Sequence, residues 1–348
     1  MKHKKNNLLS LDKFINLALY NRKFGYYMNK NPFGKKGDFI TAPNISILFS
    51  EMIAIWIISL WEHLNCPKKF NLIELGAGNG EMMKSLISTF NKFPKFKSAC
   101  KINILEKSDF LIKEQKKNIY SNEIKWLNDL NKLNKIPNIF IANEFFDALP
   151  FKQFIKKKNR WYERYVNLTD KKKANYTDRL FNMKKMEKKI RFNISQNQNF
   201  IEYSPETTAY LKIISKKIKT NNGALLIIDY GYLENKIKNT IQTISNHKYS
   251  DALKNIGKSD ITHNISFHLL KKIVQELGSF NTVVTNQREF LIKMGIIERA
   301  EIISKNLTFK KKADIFFRLK RLIDTNEMGD LFKVMLITNK ENKFKLGF

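Results

Sequence analysis

The stretch Ile73-Glu74-Leu75-Gly76-Ala77-Gly78-Asn79-Gly80-Glu81 ends a short apolar run and precedes a helical pattern. It places an acidic residue at the end of a predicted strand and three alternating glycines in the turn that opens the next helix. Glycine lacks a Cβ, so such a turn can adopt positive φ and let its backbone approach a ligand closely. The helix that follows offers unbonded backbone amides. The stretch therefore predicts a strand-turn-helix unit that binds a ligand.

The spacing and charge of this turn indicate the kind of ligand. In a dinucleotide-binding turn the third glycine comes one residue later and the turn holds a pyrophosphate. Glu74 precedes the first glycine, where it would repel a pyrophosphate and attract a cation such as a sulfonium with an ammonium group. Glu106 ends the second predicted strand, where a carboxylate can accept both hydroxyls of a ribose. We therefore predict S-adenosylmethionine as the cofactor.

The alternation of apolar runs around the turn predicts an α/β fold. Predicted strands cover residues 70–74, 101–106, 124–127, 138–142 and 223–229, and predicted helices cover residues 82–90 and 110–120. Strands that alternate with helices form a parallel sheet with helical crossovers. A helix over residues 8–24 with a C-cap near Gly25 and a buried helix over residues 45–64 come first. We predict a Rossmann-like sheet of the class I methyltransferase type with a helical N-terminal preface.

About 80 residues separate the fourth predicted strand from the fifth, which is far more than a crossover requires. Residues 161–166 alternate as a strand, residues 169–189 are polar and rich in lysine, and residues 206–219 are helical. We predict an inserted lid or substrate-facing subdomain. The predicted division is 1–66 for the helical N-terminal segment with a cofactor-covering loop, 67–150 for the first part of the sheet, 151–222 for the insertion and 223–348 for the remainder.

Composition limits the class of protein but leaves the meaning of its charge open. Hydrophobic residues make up 43% of the 348 residues, which is enough to form a globular core. The formal net charge of +31 is typical of a protein that binds a polyanion such as RNA, or an anionic membrane surface. The lysines are spread along the whole chain, however, as a coding bias toward AT-rich codons would also produce. Only local runs such as 156–158 and 171–173 cluster.

Several kinds of site and segment are not expected. Cys66 and Cys100 form no CxxC pair, and His263 and His268 are five residues apart, so we predict no disulfide and no metal site. The N-terminus does not resemble a secretory signal. The most apolar run, residues 45–61, is interrupted by polar residues and is too short to span a bilayer. We predict a reducing compartment, the cytoplasm in a bacterium or the mitochondrial matrix in a eukaryote.

Motifs along nearly the whole chain resemble those of the MidA-like methyltransferases. The matching segments are ALY and GYY within 18–27, GDFITAP at 37–43, ELGAGNG at 74–80, EFFDALP at 144–150, IDYGY at 228–232, DIT at 260–262, FLIKMGI at 290–296 and MG with FK within 328–333. Their order and spacing agree across residues 11–336. The resemblance implies an S-adenosylmethionine-dependent methyltransferase. Its mitochondrial branch implies protein-arginine methylation linked to the assembly of respiratory complex I.

The resemblance also implies which residues hold the cofactor, because in such proteins the glycine turn and the Glu106 equivalent bind it and the GDFxTAP segment covers it. The predicted cofactor residues are Gly37, Asp38, Thr41, Pro43, Glu74, Gly76, Ala77, Gly78, Gly80, Glu106, Asn128, Asp129 and Asn143. The chain departs from the family pattern at Ala77 (usually proline), Asn79 (often arginine), Asn44 (usually glutamate) and Arg288 (usually glycine). A turn tolerates the first two, whereas the other two concern the substrate side.

Acidic residues after the fourth predicted strand are candidates for the chemistry. Open α/β sheets bind ligands at the carboxyl ends of their strands, and carboxylates match a planar guanidinium through paired hydrogen bonds. Glu144 and Asp147 are three residues apart, which would place them on one side of a helical turn, and we assign them as catalytic. The alternative is that they are acids that stabilise a helix N-terminus.

Three functions are therefore considered. The leading hypothesis is a protein methyltransferase that acts on arginine, with a protein substrate as its partner. The high positive charge favours an RNA methyltransferase as the alternative enzyme, with nucleic acid as its partner. The third hypothesis is an assembly factor that keeps the fold but works by binding a client protein. No membrane span is predicted, and the sequence leaves a monomer and a homodimer equally open.

Overall fold

The computed structural model describes residues 8–34, 37–38, 41–121, 123–169, 173–245, 248–254 and 256–348. The chain forms two compact units. The main-sheet unit comprises Asn31–Phe145, Ile213–Tyr232 and Ser279–Phe348, and the antiparallel unit comprises Met1–Lys30, Phe146–Lys212 and Leu233–Gly278. The four-segment division given above stays a prediction.

Helices and strands alternate through most of the described chain. The helices are α1 Leu11–Tyr20, α2 Tyr26–Asn29, α3 Ala42–Ile45, α4 Ile47–His63, α5 Glu81–Phe90, α6 Pro94–Ala99, α7 Asp109–Ile119, α8 Met183–Ile190, α9 Pro205–Asn221, α10 Phe267–Leu277, α11 Gln287–Lys293, α12 Ile296–Ser304, α13 Phe309–Ile323 and α14 Met328–Leu331, with a 3₁₀ turn at Leu130–Lys132. The strands are β1 Leu8–Ser10, β2 Phe70–Leu75, β3 Cys100–Leu105, β4 Lys125–Leu127, β5 Asn138–Asn143, β6 Lys152–Lys157, β7 Arg160–Thr169, β8 Lys173–Leu180, β9 Phe200–Tyr203, β10 Gly223–Tyr232, β11 Gln242–Ser245, β12 Lys248–Tyr249, β13 Asp260–Thr262, β14 Ile265–Ser266, β15 Phe280–Asn286 and β16 Phe332–Asn339.

The main sheet has the order β15-β16-β10-β5-β2-β3-β4. The five strands from β10 to β4 run parallel, as predicted, whereas β16 pairs antiparallel with both β10 and β15. The sheet is therefore mixed. After β2 the chain continues to β3 and β4 on one side, and later to β5 and β10 on the other. The gap between β2 and β5 is thus the point where the strand order reverses, and open α/β sheets bind ligands at that point.

Burial on both faces explains the apolar runs of the central strands. Leu72 and Ile73 are neighbours in β2 and point to opposite faces, and both are fully buried. The predicted helix over 45–64 is instead divided between α3 and α4. Ser46 has extended backbone, and its hydroxyl caps α4 by accepting a hydrogen bond from the amide of Leu48. No helix among the described residues is both long and apolar enough to cross a membrane.

The antiparallel unit contains two sheets. One has the order β1-β7-β6-β9 with β8 on β7, and the other has the order β12-β11-β13. The predicted strand over 161–166 is the longer strand β7, and the lysine-rich segment 169–189 contains strand β8 and helix α8. The polar composition of β8 hides this strand in the sequence, because its residues from 175 to 180 are exposed or half-buried.

The predicted helix over 8–24 is wrong at both ends. Leu8–Ser10 is a strand that pairs with β7, and α1 covers only Leu11–Tyr20. Gly25 is not the C-cap of this helix. Its amide donates to the carbonyl of Asn21, and it precedes helix α2. Pairing with a strand that lies far along the chain has overridden the local helical pattern at the first residues.

Candidate active site

The glycine turn between β2 and α5 has the backbone that its sequence predicts. Gly76, Gly78 and Gly80 have φ of +66°, +53° and +83°, a region that residues with a Cβ rarely adopt. Space is restricted as well, because a Cβ on Gly76 would lie 2.9 Å from the ring of Phe145 and one on Gly78 would lie 3.3 Å from the ring of Phe33. The turn therefore requires glycine for both conformational and steric reasons.

Side chains of helix α7 donate hydrogen bonds to the carbonyls of the glycine turn. The side-chain amide of Gln115 donates to the carbonyl of Gly78 at 3.0 Å, and that of Asn118 donates to the carbonyl of Asn79 at 2.9 Å. The side-chain oxygen of Asn79 accepts a hydrogen bond from the amide of Glu81 at the start of α5. These bonds fix the carbonyls of the turn, while the first amides of α5 have no partner within their own helix.

Glu106 follows β3 and is half-buried. Its Oε1 accepts hydrogen bonds from the amides of Lys107 and Ser108, each at 2.9 Å, and its Oε2 accepts one from Gln115 at 3.0 Å. Burial raises the pKa of Glu106, and these hydrogen bonds oppose that rise. A carboxylate has about four acceptor positions, of which these bonds occupy three. The group is therefore oriented by the protein, and its Oε2 can still accept a hydrogen bond from a ribose.

Gln115 is a functional candidate that the sequence interpretation missed. It is fully buried, and its Oε1 accepts a hydrogen bond from the indole of Trp126 at 2.9 Å while its Nε2 reaches both Glu106 and Gly78. One signal for it exists in the sequence. Gln115 lies between Leu111 and Ile119 at spacings of four, so it occupies the buried side of an otherwise polar helix. A buried side-chain amide usually forms hydrogen bonds within the protein, so a glutamine at this position indicates a polar contact.

Glu74 is buried at the end of β2, and its Oε2 has no hydrogen-bond partner among the residues that the structure describes. Burial, with a smaller contribution from the charge of Glu106, raises the pKa of Glu74 to about 8. A buried carboxylate of this kind ionises readily only when a cation or a donor faces it. The unpartnered oxygen and the glycine turn together fit a cationic nucleoside ligand such as S-adenosylmethionine.

The GDFITAP segment contacts the glycine turn through Asn44. Asn44 donates to the Thr41 hydroxyl at 2.7 Å and accepts from the side-chain amide of Asn79 at 3.0 Å. Asp38 and Pro43 are buried. Asn44 and Asn79 are two of the positions at which the chain departs from the family pattern, and here they bond to each other. Gly37 donates its amide to the carbonyl of Gly34, and residues 39 and 40 lie outside the described chain.

Asn128 and Asp129 lie in the loop after β4 and make local hydrogen bonds. The exposed Asn128 accepts one from Lys132 at 3.0 Å. Asp129 caps the following 3₁₀ turn by accepting from the amide of Asn131 at 2.9 Å. The predicted role of both residues in cofactor binding stays a prediction.

The end of β5 brings together Asn143, Glu144 and Tyr230. Glu144 has φ of +50°, and its Oε2 accepts a hydrogen bond from the Tyr230 hydroxyl at 3.1 Å. The Oδ1 of Asn143 is buried without a hydrogen-bond partner among the described residues. A non-glycine residue in this left-handed conformation is uncommon, and such residues concentrate at functional sites.

The helical turn predicted for Glu144 and Asp147 does not form. The left-handed backbone of Glu144 cannot continue a right-handed helix, and residues 146–149 form a turn in which the amide of Leu149 donates to the carbonyl of Phe146. Glu144 belongs to the main-sheet unit, and Asp147 is buried in the antiparallel unit, where its carbonyl accepts a hydrogen bond from the amide of His263. The catalytic roles of both carboxylates stay predictions.

Comparison with known proteins identifies the family. Residues 52–285 match the family described as "Putative S-adenosyl-L-methionine-dependent methyltransferase". The chain is 28% identical over 359 residues to "Protein arginine methyltransferase NDUFAF7, mitochondrial" of Xenopus laevis, which covers 95% of this chain and 81% of that protein. It is 26% identical over 370 residues to the Homo sapiens protein of the same name, which covers 95% and 80%.

The fold has a solved counterpart. A protein from Burkholderia thailandensis bound to S-adenosyl-homocysteine has a TM-score of 0.81 and 21% identity, over 98% of this chain and 90% of that one. The predicted α/β fold of the class I methyltransferase type, the predicted family and the predicted cofactor are confirmed. The chain therefore belongs to this family and is an S-adenosylmethionine-dependent methyltransferase.

Proposed function

We propose that this methyltransferase modifies arginine side chains of a protein substrate. The observation that carries the proposal is Glu144, a carboxylate held in a strained backbone conformation beside the strand-order reversal and bonded to the Tyr230 hydroxyl. A carboxylate in a fixed orientation suits a planar guanidinium, which it can bind through two parallel hydrogen bonds. The names of relatives at 26–28% identity, which are protein arginine methyltransferases, support the same substrate.

In this proposal the protein contributes position and charge. When bound, S-adenosylmethionine supplies an electrophilic methyl group on a positively charged sulfur. Glu144 holds the guanidinium, concentrates its electron density on one nitrogen and accepts the proton which that nitrogen loses. The Tyr230 hydroxyl orients the carboxylate by its hydrogen bond.

In the proposed site, different residues bind different parts of the cofactor. Glu74 faces the cationic portion, because it is buried and its Oε2 has no hydrogen-bond partner among the residues that the structure describes. Glu106 accepts the ribose hydroxyls, and Gln115 keeps its carboxylate in place. The glycine turn lets the backbone approach the ligand. Asp38, Thr41 and Pro43 cover the ligand, with Asn44 joining their segment to the turn.

The relatives also support a place of action. Their names mark them as mitochondrial proteins, in agreement with the predicted matrix location if this chain is eukaryotic. The predicted cytoplasmic location applies if it is bacterial. The resemblance to the mitochondrial branch makes a subunit of respiratory complex I the first candidate substrate.

The test is a methylation assay with isotopically labelled S-adenosylmethionine on whole protein extract and on total RNA, read by mass spectrometry. We expect label in protein as methylarginine, and we expect Glu144→Gln to reduce it by at least about 100-fold without changing cofactor affinity. Glu289→Gln, which changes a glutamate at the start of α11 in the same unit, is the matched control and should leave the rate unchanged.

The same assay separates the alternatives. Label that appears in RNA and not in protein would replace the arginine proposal with the RNA methyltransferase. Intact cofactor binding with no label in either fraction, together with normal client maturation in the Glu144→Gln variant, would identify a non-catalytic assembly factor.

A further inference from the structure

Helix α13 exposes two large aromatic side chains on one side. Phe309 is 88% exposed and Phe317 is 65% exposed. Together with the exposed Ala313 they are spaced by four residues, so they follow one side of the helix. Leu319 and Leu322 of the same helix are buried. The helix is therefore anchored to its unit by one side, while its outer side carries apolar surface that folding does not use.

Three consecutive lysines adjoin the first of these aromatic residues. Lys310, Lys311 and Lys312 lie in the first turn of α13, and none of them forms an ion pair with a residue that the structure describes. The positive end of the helix dipole disfavours cations there, and Thr308 provides no side-chain cap. The first turn of α13 therefore has cations where the helix dipole disfavours them and lacks a side-chain cap. Local departures of this kind from the rules of helix stability are typical of functional sites.

The cations in the second half of α13 differ from these lysines. Arg318 pairs with Asp314 at 2.8 Å, Arg321 with Glu327 at 3.6 Å and Lys320 with Asp324 at 3.9 Å. The unneutralised charge is therefore concentrated at the start of the helix, next to Phe309. A coding bias toward lysine explains the number of lysines in the chain but not their junction with two exposed aromatic rings.

We propose that this aromatic-basic patch, formed by Phe309, the three lysines 310–312, Ala313 and Phe317, binds the surface of an anionic lipid bilayer. Phenylalanine side chains on one side of a helix enter the boundary between headgroups and acyl chains, and flanking lysines pair with anionic headgroups. The two interactions reinforce each other, because a single weak signal gives only marginal attachment to a membrane. The proposal concerns attachment to the surface and does not depend on the proposed substrate.

Charge and shape favour a bilayer over other occupants. A second copy packed on the same patch would bring the unpaired lysines of both copies into one interface, and like charges repel. The cavity beside α13 is lined by Ile315 and Arg318, and Phe309 and Phe317 lie outside it. At 88% and 65% exposure the two rings project from the helix surface, which does not suit a partner that binds apolar side chains in a groove. A deformable surface that carries negative charge fits an exposed ridge of this kind.

The test is co-sedimentation of the full chain with phosphatidylcholine vesicles that contain or lack phosphatidylserine. We expect binding only to the anionic vesicles. The double variant Phe309→Ser/Phe317→Ser should weaken it by at least about tenfold. The control Tyr120→Ser/Leu180→Ser removes two residues of matching exposure, 88% and 66%, elsewhere on the chain and should bind as the wild type does.

A second pair of variants tests whether vesicle binding depends on this patch or on the net charge of the protein. The triple variant Lys310→Glu/Lys311→Glu/Lys312→Glu should abolish binding while its thermal stability stays equal or rises, because acids favour a helix N-terminus. The control triple variant Lys340→Glu/Lys343→Glu/Lys345→Glu changes the net charge equally at exposed positions and should retain most binding. Equal loss in both triples, no binding by the wild type, or a dimer that Phe309→Ser/Phe317→Ser dissociates would each overturn the proposal.

Discussion

The side-chain amide of Gln115 donates to Oε2 of Glu106 across 3.0 Å. The same nitrogen donates to the carbonyl of Gly78, so one buried residue of α7 connects the carboxylate assigned to the ribose with the turn assigned to the rest of the nucleoside. The two features that define the predicted site lie on different connections of the sheet. Gln115 fixes their relative position.

Replacing Gln115 by leucine should weaken cofactor binding. The Gln115→Leu variant loses the bonds to Glu106 and Gly78 and leaves the indole of Trp126 unpaired. At about 1 kcal/mol for each of the two bonds to the site, we expect the Kd for S-adenosylhomocysteine to rise about 30-fold. Isothermal titration measures this change. The Gln287→Leu control removes another buried glutamine, which donates to the carbonyl of Leu322 in the same unit. If both variants bind equally well, Gln115 serves folding alone.

Glu74 should make the stability of the ligand-free protein depend on pH. Because burial raises its pKa from 4.5 to about 8, the folded state disfavours the ionised form. The wild type should therefore lose unfolding free energy relative to Glu74→Gln as pH rises from about 5 to about 8, by about 3 kcal/mol at 1.4 kcal/mol per pKa unit. Denaturant unfolding of both proteins across this range measures the difference. If the unfolding free energies of the two proteins change with pH in the same way, Glu74 is not a buried carboxyl group with a raised pKa.

The same carboxylate should release a proton when the cofactor binds. At pH 7 a group with a pKa of about 8 is mostly protonated, and a cationic ligand facing it favours the ionised form. Titrations of S-adenosylmethionine in buffers of different ionisation enthalpy should therefore report about one proton released per molecule bound. In Glu74→Gln this release should disappear. A binding enthalpy that does not depend on the buffer in the wild type would contradict the assignment of Glu74.

A side chain at position 78 should reduce both the stability of the protein and its affinity for the cofactor. Gly78→Ala places a Cβ at φ of +53° and 3.3 Å from the ring of Phe33, so we expect a loss of about 1 kcal/mol of stability and a clear loss of cofactor affinity. Gly295→Ala is the control, since Gly295 has φ of +82° and a Cβ there would make only an ordinary contact of 3.6 Å with Glu298. It should show the loss of stability alone. Equal affinity in the two variants would remove the turn from the cofactor site.

Local patterns account for what the sequence could predict. The strand, glycine turn and helix around Glu74 are encoded within a few residues, and the apolar runs of β2, β5 and β10 follow from burial on both faces. Contacts between distant segments could not be read in the same way. Three such contacts are the bond from Gln115 to Gly78, the bond between Asn44 and Asn79, and the pairing of β1 with β7.

The site after β5 shows the same limit in another form. A spacing of three residues between Glu144 and Asp147 indicates one side of a helix only if a helix forms. The left-handed backbone of Glu144 excludes a helix at this point. The sequence carries no signal for this conformation, because glutamate is not a residue that favours positive φ. Strain of this kind is set by the surrounding fold.

The central claim is that residues 74–80 and Glu106 hold the cofactor. A crystal structure of the protein with S-adenosylhomocysteine tests it most directly. We predict electron density for the nucleoside against the glycine turn, with both ribose hydroxyls within hydrogen-bond distance of the Glu106 carboxylate. Density for the nucleoside elsewhere on the chain, with Glu106 making only its bonds to Lys107, Ser108 and Gln115, would contradict the claim.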